Sequence, residues 1–95
     1  MPAYLLVDGK VIDPTRYENY KKLAPPAIAK HGGRYLVRGG ATQQLEGDWQ
    51  PKRIVVLEFP DADAARRFYD SPEYRAARAE RAGAAKMNII LVEGV

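Results

Sequence analysis

Three polar side chains of this sequence can hold a small organic anion and move a proton on it. Arg34 can bind a carboxylate or phenolate through two parallel hydrogen bonds, and Glu58 can transfer a proton if burial raises its pKa. Tyr4 can donate a hydrogen bond. We expect paired strands to bring all three together. A structural ion pair that fixes strand register is the alternative interpretation.

Two further residues extend this candidate site. His31 is the only histidine, and its ordinary pKa of about 6.5 suits proton transfer near neutrality. It also stands at the expected end of a helix, where a cation is stabilised and where simple packing is the alternative role. Arg38 is a second candidate for anion binding. The predicted catalytic residues are therefore His31 and Glu58, and the predicted ligand-binding residues are Tyr4, Arg34 and Arg38.

The composition limits the chemistry that these residues can perform. The chain has no cysteine, which excludes disulfides, thiolate nucleophiles and thiolate metal sites, and a single histidine argues against a transition-metal site. The two glycine pairs lack the sequence of a phosphate-binding loop or a dinucleotide fingerprint. We expect no metal and no cofactor. Whether the protein is an enzyme stays open, but an enzyme with these residues would carry out cofactor-free proton transfer or oxygenation.

Charge and length limit the partners. The 15 Lys and Arg against 12 Asp and Glu give a net charge of +3, which permits an anionic ligand without requiring one. Nucleic acid is not expected, because the segment 53–59 lacks paired stacking aromatics and Arg75, Arg78 and Arg81 are typical of a solvated helix face. The apolar run near the N-terminus is too short for a signal peptide or a membrane span. We expect a cytoplasmic protein without a membrane partner, with one domain over residues 1–95.

Hydrophobic periodicity places these residues on strands and helices. Period-two patterns predict strands at 3–12, 34–38, 53–59 and 87–93, with 42–45 as an extension of the second strand and 46–51 as a hairpin tip. A helix is expected from Pro14 to Gly32, with a kink or a break into two short helices at Pro25-Pro26. A second helix should begin after Asp61 and restart at Ser71.

The order strand, helix, strand, strand, helix, strand predicts a ferredoxin-like α+β sandwich with a four-stranded antiparallel sheet. The expected strand order is 4-1-3-2, so the second and third strands pair. With Leu36 opposite Val56, Arg34 would face Glu58 and Arg38 would face Ile54, all on the sheet face away from the helices.

That outer sheet face is expected to be an interface. The segments 5–7, 54–57 and 89–92 are apolar on both faces, whereas an antiparallel sheet with one solvated face should alternate. A second copy of the chain is the economical cover, which predicts a homodimer. Trp49 should pack on the partner or on its own strands, and Tyr69 and Tyr74 are expected in the core, with lining of a cavity as their alternative role.

A resemblance to a known family rests on four ordered segments: 32–40 (GGRYLVRGG), 46–53 (EGDWQPKR), 58–60 (EFP) and 71–74 (SPEY). Together they resemble the domain of unknown function 1330 family, and the likeness covers essentially the whole chain. The resemblance implies a dimeric α/β barrel, a group that also includes small cofactor-free monooxygenases, muconolactone isomerase and stress-response barrel proteins. It brings no activity with it, since fold analogy alone assigns no reaction.

Two functions are therefore predicted. The first is binding of a small anionic or phenolic organic molecule in a barrel-type pocket, with cofactor-free chemistry as its catalytic form. The alternative is a non-catalytic dimerisation or interaction domain. Convergent polar side chains around a cavity would favour the first function, and a barrel filled by apolar side chains would favour the second.

Overall fold

The computed structural model describes all 95 residues and contains four strands and three helices. The strands are β1 (Ala3–Val11), β2 (Arg34–Arg38), β3 (Ile54–Phe59) and β4 (Ala85–Glu93). The helices are α1 (Pro14–Lys30), α2 (Ala62–Asp70) and α3 (Pro72–Arg81). The strands form one antiparallel sheet in the order β2-β3-β1-β4, which confirms the predicted ferredoxin-like fold.

Side-chain caps begin the helices where the sequence predicts them. The Asp13 carboxylate accepts a hydrogen bond from the Arg16 amide at 3.1 Å, and the Asp61 carboxylate accepts one from the Ala64 amide at 2.7 Å. Ser71 ends α2 and caps α3, and its hydroxyl accepts from the Tyr74 amide at 3.1 Å. Each cap satisfies an amide that has no partner within its helix. The predicted restart of the second helix at Ser71 is confirmed.

The prediction of a break into two helices at Pro25-Pro26 is wrong. Both prolines lie inside α1, which continues from Pro14 to Lys30. The carbonyl groups that lose their amide partners belong to Lys21 and Lys22, which are exposed residues where water can supply the missing donors. Buried residues on both sides of the prolines also pack into the core and hold the helix together.

The segment between β2 and β3 has no regular secondary structure, so the predicted strand extension at 42–45 is wrong. Gly39 has a φ of 72°, a left-handed conformation that turns the chain away from β3. Its amide still donates to the Ile54 carbonyl at 2.8 Å, and pairing stops there. The whole of 39–50 is exposed. We call residues 39–53 the β2–β3 loop.

The sheet has one face against the helices and one open face. Odd-numbered residues of β1 and β3 pack against the helices, and Leu5, Leu57, Phe59 and Phe68 form the centre of the core. The open face instead carries exposed apolar side chains, among them Leu6, Leu36, Val37, Ile90 and Val92. None of the three helices combines the length and the apolar character that a membrane span requires. A contiguous exposed apolar surface of this kind is typical of an interaction site.

Candidate functional site

A cavity of about 80 Å³ lies between the sheet and the helices. All four strands contribute to its wall, and Phe68 and Ile28 close its apolar side. Five of the six tyrosines of the chain line it: Tyr17, Tyr20, Tyr35, Tyr69 and Tyr74. An apolar cavity with a few convergent polar groups is the usual form of a small-molecule site. We call it the tyrosine cavity.

Two tyrosine hydroxyls form a hydrogen-bonded pair in this cavity. The Oη atoms of Tyr20 and Tyr74 lie 2.7 Å apart, and the Tyr17 and Tyr20 rings stack with centroids 5.2 Å apart. Burial raises the pKa of Tyr20 far above its usual value, and burial also raises the pKa of Tyr17 and of Tyr35. These hydroxyls therefore stay protonated. Only one hydrogen of the Tyr20–Tyr74 pair is used between them, so the pair keeps an O–H for a ligand acceptor.

Two arginines of α3 cover the tyrosines. The Arg78 guanidinium lies 4.2 Å from the Tyr69 ring centroid, and the Arg81 guanidinium lies 5.7 Å from that of Tyr20. Both side chains are half-buried, and the Nε atom of each is buried without a hydrogen-bond partner. The prediction of a solvated face is therefore wrong for Arg78 and Arg81, because α3 packs these positions against aromatic rings of α1 and α2. It is confirmed for Arg75, which is exposed.

A β-bulge in β2 changes the position of Arg38. Tyr35 pairs with Leu57, but Val37, not Leu36, pairs with Val56, so Leu36 is the extra residue. The predicted register is therefore wrong beyond Tyr35. Arg38 lies opposite Val55, not opposite Ile54, and its guanidinium lies 4.3 Å from the Tyr35 ring centroid.

The consequence is that Arg38 lines the tyrosine cavity instead of lying on the open face. Arg53 also lines the cavity, and it precedes β3 on the same side as Val55. Sequence reasoning missed Arg53. The available signal was the alternation of side chains along a strand. Arg53 has the same parity as residues 55, 57 and 59, which the predicted pairing of the even-numbered residues leaves on the helix side.

Tyr4, Arg34 and Glu58, which were predicted to form one cluster, lie at neighbouring register positions on the open face. Glu58 lies opposite Tyr4 on β1 and opposite Arg34 on β2. The Arg34 Nε atom donates to the Glu58 carboxylate at 2.6 Å, with the Arg34 side chain 71% exposed and that of Glu58 23% exposed. The predicted pairing is confirmed. The cluster does not line the tyrosine cavity, and its role in ligand binding or catalysis stays a prediction.

His31 has a separate environment at the end of α1. Its Nε2 atom lies 3.3 Å from one oxygen of Glu73, and the Lys30 ammonium lies 3.3 Å from the other. The hydrogen bond with His31 and the contact with Lys30 lower the pKa of Glu73. The His31 ring also packs edge-on against Phe68, with centroids 6.3 Å apart. The structure thus gives His31 and Glu58 different partners, and the catalytic role predicted for either residue stays a prediction.

The side chains of the structure form no group of three or more histidine, aspartate or glutamate residues with the geometry of a metal site.

The β2–β3 loop is anchored to the sheet by Asp8. The Lys52 amide donates to one carboxylate oxygen of Asp8 at 2.9 Å, and the Trp49 indole donates to the other at 3.1 Å. Trp49 then borders a shallow apolar groove of about 490 Å³ on the open face, together with Leu6, Val56 and Ile90. The expectation that Trp49 packs on its own strands is consistent with this position. The anchor links the loop to the open face of the sheet.

This anchor predicts a pH-dependent fluorescence change. The amide hydrogen bond from Lys52, and then the indole hydrogen bond from Trp49, lower the pKa of Asp8 below its ordinary value of 3.8. The stabilisation of the loop is therefore present above that value and is lost as the pH falls through the lowered pKa. Trp49 is the only tryptophan. We expect its emission to shift to longer wavelength in acid, with the Asp8→Ala variant showing the shifted spectrum at pH 7. An unshifted Asp8→Ala spectrum at pH 7 would contradict the anchor.

The family model described as "Domain of unknown function (DUF1330)" matches residues 2–95. The chain belongs to the DUF1330 family. This confirms the resemblance carried by the segments 32–40, 46–53, 58–60 and 71–74. No curated protein matches this DUF1330 chain significantly.

Several solved structures resemble this DUF1330 protein in fold. A protein of unknown function from Rhodopseudomonas palustris has a TM-score of 0.75 and 21% identity, over 99% of this chain and 82% of the other. A dimeric ferredoxin-like protein of unknown function from Jannaschia sp. CCS1 has a TM-score of 0.70 and 13% identity, over 99% and 100%. SnoaB, a cofactor-independent oxygenase from Streptomyces nogalater, has a TM-score of 0.65 and 16% identity, over 99% and 93%. At these identities the likeness shows the fold alone.

Proposed function

We propose that this protein is a homodimer that binds a small organic acid or phenol in the tyrosine cavity. The observation that carries the proposal is the composition of that cavity, which joins an aromatic interior to the cationic side chains of Arg38 and Arg53. The rings can pack against an apolar ligand, and the arginines can form charge-assisted hydrogen bonds with an anion. The spare O–H of the Tyr20–Tyr74 pair supplies a further donor.

The open face supports the homodimer. Leu6, Leu36 and Ile90 are exposed in the isolated chain, and together with Trp49 they make an apolar surface that water solvates poorly. A second copy that packs on this face would cover it with the same residues, as twofold symmetry requires. The similar protein from Jannaschia sp. CCS1 is described as dimeric. A cytoplasmic location, consistent with the absence of cysteine, stays a prediction.

The catalytic form of the proposal is cofactor-free proton transfer or oxygenation on the bound molecule. The description of SnoaB as a cofactor-independent oxygenase supports it as an analogy of fold. Arg38 would hold the anion, while His31 or Glu58 would move the proton. Neither of these two residues lines the cavity, so this role requires a ligand that extends beyond it or a change in side-chain position.

A ligand screen tests the proposed function. We expect organic acids or phenols with one ring to raise the melting temperature of the purified protein, because a ligand that binds only the folded state stabilises it. Native mass spectrometry of the same sample should show a dimer and any retained ligand. Aliphatic polyols of similar size are the control. No stabilisation by any acid or phenol would contradict small-molecule binding.

The second candidate function is a non-catalytic dimerisation domain. The specific observation in its favour is that the exposed apolar surface lies on the open face, away from the tyrosine cavity. A dimer without any response to the ligand screen would favour this function.

A further inference from the structure

The geometry points to Arg38 and Arg53 as a paired anion subsite, and therefore to an aromatic carboxylate with a single ring as the ligand class of the tyrosine cavity. This inference rests on the proposed function and makes it more specific. Nothing in the sequence analysis assigned Arg53 a role, and Arg38 was expected on the opposite face.

Arg38 and Arg53 both line the tyrosine cavity. The bulge at Leu36 turns Arg38 to the helix side, where its guanidinium lies over the Tyr35 ring. The Arg53 guanidinium lies against the backbone of Gly39, the residue that follows Arg38, since a Cβ atom built on Gly39 would come within 2.7 Å of the Arg53 Nε atom. Arg38 immediately precedes the β2–β3 loop and Arg53 is its last residue, and both line the same cavity.

Neither the Arg38 nor the Arg53 guanidinium is neutralised by an ion pair. Five ion pairs form in the structure, and they involve Lys21, Lys30, His31, Arg34 and Arg66, but neither Arg38 nor Arg53. Lys21 also lines the cavity, but it is paired with Glu18 at 3.1 Å. Two neighbouring positive charges without a counter-ion repel each other, and a bound anion would relieve that repulsion. A carboxylate has the planar geometry that guanidinium groups bind through paired hydrogen bonds.

The rest of the cavity offers space for an apolar group. The interior is aromatic and apolar, with Phe68, Tyr17 and Tyr74 in its wall. Its volume of about 80 Å³ is roughly half of the ~150 Å³ of an engineered cavity that holds benzene. A single ring therefore enters only if the lining side chains move apart, and fused rings would require a larger displacement. An aromatic carboxylate would place its ring against the apolar interior and its carboxylate against Arg38 and Arg53.

Calorimetry on the full-length protein tests the inference with benzoate, its neutral isostere benzamide, and acetate. We expect benzoate to bind at least about tenfold more tightly than either of the others, and to bind more weakly at high salt. Arg38→Gln and Arg53→Gln should each weaken benzoate binding by roughly 10- to 100-fold, the range for a lost charge-assisted hydrogen bond. The matched control is Arg75→Gln, which removes an exposed arginine that does not line the cavity. Melting curves show that each variant is folded.

The outcomes separate this inference from the proposed function. Equal binding of benzoate and benzamide would overturn the anion subsite and leave small-molecule binding intact. Benzoate binding that is lost in Arg34→Gln, and retained in both cavity variants, would place the anion on the open face and overturn the inference. Binding of phenols without any carboxylate would overturn the ligand class alone. No binding of any ring compound would contradict the proposed function itself.

Discussion

Ile90→Asp is expected to convert the proposed homodimer into folded monomers. Ile90 is 58% exposed in the isolated chain and lies opposite Leu6 on the open face, so a carboxylate there is solvated in the monomer. In the dimer the same carboxylate would be buried without a partner. Such a charge costs about 3 kcal/mol or more, which weakens the dimer at least a hundredfold. Twofold symmetry introduces the charge twice, which adds to the loss.

Sedimentation velocity at micromolar concentration measures this effect, and Ile12→Asp is the matched control. Ile12 is the same residue type and is 50% exposed, but it follows β1 and lies outside the groove on the open face. We expect the control to sediment as the wild type does. A dimeric Ile90→Asp variant, or a control that dissociates equally, would show that the interface is elsewhere.

Val56→Asp examines the centre of the same face. Val56 pairs with Leu6 on one side and with Val37 on the other, and it is half-buried even in the isolated chain. We expect dissociation together with some loss of monomer stability, because the new charge is partly desolvated before the dimer forms. Combined sedimentation and thermal melting separate the two effects. A fully stable dimer would contradict the assignment of Val56 to the interface.

The fold was predictable because its signals are local and consistent. Asp13 and Asp61 are N-caps with an apolar helical stripe after them, and Ser71-Pro72 is a typical helix start. The alternation in β1 and β3 separates a core face from an open face. The pairing of Arg34 with Glu58 follows from that alternation and from the strand order. The helix caps and the alternation depend only on residues that are close in the sequence. The Arg34–Glu58 pair depends in addition only on how β2 pairs with β3.

The candidate site was less predictable because it depends on a single inserted residue. The bulge at Leu36 moves the Arg38 side chain from the open face to the helix side of the sheet. No residue type in 34–38 predicts this bulge. A bulge depends on how β2 meets β3 and the β2–β3 loop, which is tertiary information. The tyrosine cavity also depends on tertiary packing, because its tyrosines come from α1, α2, α3 and β2. Helical spacing shows only that Tyr69 and Tyr74 face inward.

Phe68→Ala is expected to lower the free energy of unfolding by about 3–5 kcal/mol. Phe68 is 1% exposed, and its ring packs against Tyr74 at 4.3 Å and against Phe59 at 5.1 Å between centroids. Removing it takes away these contacts and leaves a space that the surrounding side chains fill only in part. Urea unfolding followed by circular dichroism measures the loss. Phe68→Leu keeps most of the volume and should lose less.

The same variant reports on the tyrosine cavity, because Phe68 forms part of its wall. Removal of the phenyl ring joins the new space to the existing volume of about 80 Å³, and the sum approaches the ~150 Å³ of a cavity that binds benzene. We therefore expect saturating benzene to raise the melting temperature of Phe68→Ala by more than that of Phe68→Leu. A loss of unfolding free energy below about 1 kcal/mol would contradict the packing of Phe68 in the core. Equal benzene responses in both variants would show that the space left by the phenyl ring does not join the cavity.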